Sequence, residues 1–83
     1  MDFLENSKTI KVGVVFKGSE ILPKWFVWEG RKYEIKEVNY NWKDRQGSEE
    51  ILCFSVTDGA NNYEISFNTK RTVWKLNKIW GEV

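Results

Sequence analysis

Between Lys70 and Trp80 the chain carries Lys70, Arg71, Lys75 and Lys78 with no acid among them, interleaved with Trp74 and Trp80. Cations meet phosphates and an indole stacks on a base, the combination that single-strand binders on small β-barrels use. On that chemistry Arg71, Lys75 and Lys78, with Lys70 beside them, supply the electrostatic attraction and Trp74 the stacking. The same residues have a structural reading. Trp74 and Trp80 can be core, and lysines on an edge strand guard it against pairing with other chains.

A second set lies upstream. Trp25, Arg31 and Trp42 sit among Lys24, Lys32 and Lys36, and Trp and Arg are the residues most enriched where proteins dock on one another. Arg31 can equally serve the fold by stacking on Trp28 or pairing with a carboxylate.

Catalytic chemistry finds little to use. There is no His, which removes the commonest general base and metal ligand together with Ser-His and Cys-His activation. Cys53 lies in an apolar strand pattern and reads as a packed hydrophobe. Asp58 heads a run that resembles a calcium loop, but Ala60 stands where a second oxygen ligand belongs and no Glu follows at the required spacing. Asp44, Glu49 and Glu50 read as a solvated loop. The expectation is a chain that is not an enzyme and takes no metal and no cofactor.

Composition sets the frame for these residues. The 83 residues with 13 basic and 12 acidic side chains give a net charge of +1, so nucleic-acid binding would have to rest on a local patch. A chain this short makes one domain, residues 1–83. Five Trp, five Phe and three Tyr supply a core without disulfides, since each large ring buries ~150–250 Å². One Cys cannot form an internal disulfide, and the sequence shows neither a membrane-length apolar run nor a leader pattern at its start. Cytoplasmic location without membrane contact is expected.

The element that positions most of these residues is Pro23 to Trp42. Two aromatic and β-branched runs flank Glu29-Gly30, the signature of a hairpin with a tight two-residue turn. Tyr33 and Ile35 alternate with charged residues, whereas Val38, Tyr40 and Trp42 have the opposite parity. An extra residue near Lys36-Glu37, a β-bulge, returns all three to the side of Tyr33 and Ile35. Before the hairpin, residues 1–7 read as a loose terminus and Thr9 to Lys17 as a strand with Ile10, Val12, Val14 and Phe16 on one face. After it, 44–50 reads as a polar loop, and Ile51–Thr57 and Tyr63–Phe67 form a second hairpin across the Asp58–Asn62 turn. Thr72–Trp80 fits either period; a strand broken near Asn77-Lys78 is preferred as the one that closes the sheet.

Pro23, Phe26-Val27-Trp28-x-Gly30-Arg31-x-Tyr33-x-Ile35-x-Glu37-Val38, Trp42, Val56-x-x-Gly59, Tyr63-Glu64-Ile65 and Trp74-x-Leu76-x-x-Ile79 together resemble a family of small bacterial all-β domains of unknown function. The resemblance spans roughly residues 10 to 80. It implies a compact β-meander and lends no catalytic residues. The expected fold is therefore an all-β antiparallel meander of five to six strands, closed or partly closed into a small SH3-like barrel. The expected function is that of a non-catalytic domain that binds a protein partner or forms a homo-oligomer, with single-stranded nucleic-acid binding as the alternative.

Overall fold

The computed structural model describes residues 2–81, with side chains from Ser7 onward. The described residues form seven strands: β1 (Asp2–Lys17), β2 (Glu20–Trp28), β3 (Arg31–Glu34), β4 (Glu37–Gln46), β5 (Glu49–Thr57), β6 (Asn61–Asn68) and β7 (Val73–Gly81). They form one antiparallel sheet in the order β3-β2-β1-β7-β6-β5-β4. The all-β meander is as expected. The strand number is seven instead of five to six, and the sheet does not close.

Turn chemistry explains the hairpins. Glu29 and Gly30 both have positive φ, 51° and 74°, between Trp28 and its partner Arg31, which is the primed turn whose twist matches the flanking strands. Gly18 and Gly47 each hold φ 62° at the first position of the other two-residue turns. The polar loop expected over 44–50 thus contracts to Gly47-Ser48, because Asp44, Arg45 and Gln46 stay in register with Ile51, Glu50 and Glu49. Likewise β1 begins at Asp2, whose backbone pairs with Ile79, so the segment expected to be loose is a strand.

The seventh strand comes from the bulge. Ile35 N donates to Lys24 O, within the β2 ladder, while Lys36 N donates to Thr57 O, within the β5 ladder. Lys36 and Glu37 both face Thr57, two residues against one. There the long second arm changes partners. The sheet's two edge strands, β3 and β4, are therefore the two halves of one extended stretch, and the sheet opens between them.

Residues directly opposite in an antiparallel ladder share a face, so the register sorts the side chains. One face holds the core, with Phe26, Val56, Tyr63, Ile65 and Leu76 fully buried. Ladder pairing sets Tyr33 against Phe26, rings stacked at 5.0 Å, and the curl of the sheet brings Tyr63 edge-on to the same ring at 5.0 Å. A bulge at Asn77 interrupts β7, where Glu64 pairs with Lys78 but Ile65 with Leu76. Leu76 and Ile79 thereby both reach the core. The segment expected over Thr72–Trp80 is accordingly a strand, β7 at Val73–Gly81, irregular at the place expected.

Candidate functional site

The second face of β4 to β7 is polar. Ladder partners set Trp42, Cys53, Ser66, Lys75 and Thr9 in one row across it. Around this row lies a groove of about 540 Å³ lined among others by Asp44, Glu64, Asn77 and Lys78. Ser7 Oγ donates to Asn77 Oδ1 at 2.7 Å, and Asn77 Nδ2 donates to Ser66 Oγ at 3.0 Å. The β7 bulge carries Asn77 to this network. Lys78 Nζ stands 3.5 Å from Glu64. Beneath the groove the Cys53 thiol is pushed up to about 11, chiefly by burial and further by Glu64 and Asp44, so it stays protonated and poorly nucleophilic.

The basic-aromatic run is split by strand alternation. Lys75 and Lys78 belong to the polar groove. Trp74 turns to the opposite side, its ring 4.9 Å from Phe67 and 5.7 Å from Phe54. It packs with the core and is not the stacking platform expected beside the lysines. Arg71 lies in the turn after β6 and sends Nε to both oxygens of Glu49 at 3.1 Å. Bonds from Arg71 first, and from Asn68, hold the Glu49 carboxyl below its ordinary range. Lys70 is exposed in the same turn, its N–H donating to Asn68 Oδ1 at 3.0 Å.

The upstream set is also divided. The Trp25 indole covers Gly13, where a Cβ would fall 2.1 Å from its ring, and Lys32 Nζ lies 5.1 Å above it. Arg31 is over the Tyr33 ring at 5.4 Å, a structural placement by stacking, on Tyr33 rather than Trp28. Trp42 remains available at 40 % exposure. It borders the polar groove with Lys75 and Lys78, so residues from the two sequence-predicted sets meet there.

Tyr40 was expected on the core side with Val38 and is 73 % exposed. Val38 pairs with Val56, but Tyr40 pairs with Ser55, leaving Asn39 as a second bulge. The first bulge returns Val38 to the core and the second sends Tyr40 and Trp42 to the other face. Asn39 and Asn41, poor strand formers on either side of Tyr40, are the only sequence signal of it.

A second opening lies on the core side of β4. Between the start of β2 and the edge of β4 runs a slot of about 560 Å³. Ile21, Leu22, Val38, Leu52 and Phe54 give it apolar walls, and Glu20, Glu50, Asn41 and Lys43 stand around them. Among the described residues no group of three His, Cys, Asp or Glu side chains is placed to hold a metal ion.

A family model described as Domain of unknown function (DUF6504) matches residues 5–80. The chain belongs to the DUF6504 family. The match reaches into all seven strands of the DUF6504 domain, from within β1 to within β7. It agrees with the resemblance carried by the hairpin, Tyr63-Glu64-Ile65 and Trp74-x-Leu76-x-x-Ile79. No match is found among curated proteins or solved structures.

Proposed function

We propose that this DUF6504 domain is a non-catalytic interaction module that binds a protein partner or a second copy of itself through β4. The supporting observation is the pair of large aromatics, Tyr40 and Trp42, left exposed on an edge strand. Exposed rings beside polar groups are what protein interfaces are built around. The curled sheet is read as a small SH3-like barrel left open at the β3/β4 corner. Cytoplasmic action belongs to the proposal, since the one thiol is buried and unpaired and suits a reducing compartment. Among the described residues no helix is long and apolar enough to cross a membrane.

Tyr40→Ala combined with Trp42→Ala should leave the unfolding free energy within about 0.5 kcal/mol and weaken association at least ~10-fold. Sedimentation velocity over a concentration series measures self-association. Comparison of proteins captured by the native and substituted domains measures partner binding. A monomer that captures the same set whether or not the rings are present would sink the reading.

Single-stranded nucleic acid is the second reading, favoured by Trp42 sharing a groove with Lys75 and Lys78. Tryptophan fluorescence during titration with mixed-sequence single-stranded DNA and RNA at two salt concentrations tests it. Saturable quenching that falls steeply with salt, with a slope reduced by about 1 in Lys75→Ala, would put this reading first.

A further inference from the structure

The slot beside β4 has the features of a site for one extended strand. Gln46 and Glu49 flank a two-residue turn and so form the hydrogen-bonded pair that closes the hairpin. Alternation from Gln46 then turns the N–H and C=O of Asp44, Trp42 and Tyr40 towards β5. Those of Asn41 and Lys43 are turned to the open edge. On the opposite bank Lys17 and Glu20 flank a like turn, which directs the backbone of Ile21 away from β1. Pro23, two residues on, has no N–H to leave unmet there. Both banks of the slot thus present unpaired backbone.

We infer that this seam captures an extended segment of a partner protein in which apolar and basic residues alternate, adding a strand to the edge of β4. Strand addition draws affinity from main-chain bonds and specificity from pockets for alternate side chains. Side chains of the added strand that point to the core side enter the slot against Val38, Leu52 and Phe54. Their neighbours emerge on the other face beside Tyr40 and Trp42, whose rings favour a cation. Charge favours the same partner on that face, because Asp44 follows Trp42 there by strand alternation, whereas Glu20 and Glu50 at the slot already stand opposite Lys17 and Arg45 in the ladders. A second copy fits less well. An added β4 would have to bring its whole sheet between the banks. This inference rests on the interaction-module reading and names its occupant.

The test uses a terminally blocked hexapeptide alternating Ile and Lys, titrated into the whole chain by calorimetry and followed by amide hydrogen exchange. Binding with a Kd on the order of 10–100 µM and slowed exchange at the amides of Asn41 and Lys43 are expected. Glu in place of Lys in the peptide, or N-methylation of its alternate amides, should weaken binding at least 10-fold, by the loss of charge attraction or of main-chain bonds. Asn41→Pro and, independently, Lys43→Pro remove an outward N–H without touching the β5 ladder. Each should stay folded by circular dichroism and lose the peptide. No saturable binding, or binding indifferent to N-methylation and to both proline variants, overturns the inference. Sedimentation separates it from the broader reading: a concentration-dependent dimer lost in Asn41→Pro would make a second copy the occupant and leave the interaction module standing.

Discussion

Gly13 shows how closely single atoms constrain this sheet. A methyl group there meets the Trp25 ring at 2.1–2.5 Å, and the indole is held from above by Lys32. Gly13→Ala should therefore cost about 1–3 kcal/mol in a urea titration, with tryptophan emission shifted to the red as Trp25 is expelled. The Asp58–Tyr63 bond is a second constraint. Tyr63 OH donates to Asp58 Oδ2 at 2.7 Å, and Asp58 Oδ1 accepts from the N–H groups of Ala60 and Asn61. Burial pushes the Asp58 carboxyl up, but the bonds from Asn61, Tyr63 and Ala60 prevail and bring it below its ordinary value. Burial first, then the bond to Asp58, raises Tyr63 to about 12. The linkage has two arms. Asp58 contributes stability that is present above its unfolded pKa of ~3.9 and lost as pH falls through the folded value. Tyr63 contributes stability that is present below its unfolded pKa of ~10 and lost as pH rises towards the folded value. Denaturant midpoints across pH should show both arms. Tyr63→Phe should abolish the alkaline arm and cost about 1 kcal/mol at neutral pH.

At the scale of the element, turns and bulges decide what faces where. Glu29 holds φ 51° and Thr72 φ 55°, a conformation that L side chains adopt with strain and a β-branched one most of all. Glu29→Asn and Thr72→Gly should each stabilise by about 0.5–1 kcal/mol, read as a shift in thermal midpoint. The Glu29-Gly30 hairpin was legible because Gly announces its turn, and the bulge at Lys36-Glu37 because parity changes across it. The bulge at Asn39 was not legible. It reverses the parity again over a stretch whose apolar residues, Tyr40 and Trp42, give no hint that they face away from the core. The candidate site inherits that difference. Lys75 and Lys78 were visible as a charge run, whereas the separation of Trp74 from them depends on strand alternation in a segment that also fitted a helix. The slot was hidden altogether, because it exists only where β2 and β4 diverge.

For the molecule as a whole, near-zero net charge and exposed aromatics predict that self-association through β4, unlike capture of a basic segment, changes less than ~3-fold between 50 and 500 mM salt, set by apolar contact more than by ion pairs. Analytical ultracentrifugation at both salts checks it, and a steep fall would count against an apolar contact between copies. The topology carries a further consequence. β1 and β7 lie side by side at the centre of the sheet, joining Ile10 to Trp74 and Lys8 to Leu76. During synthesis the first three strands therefore leave the ribosome with one flank of β1 unclothed, and nothing made before residue 73 can cover it. Contacts this distant in sequence form slowly, so a nascent chain stalled before β7 should remain sensitive to protease. One stalled after Gly81 has cleared the exit tunnel should resist it, making completion of the last strand the event that commits the domain to fold.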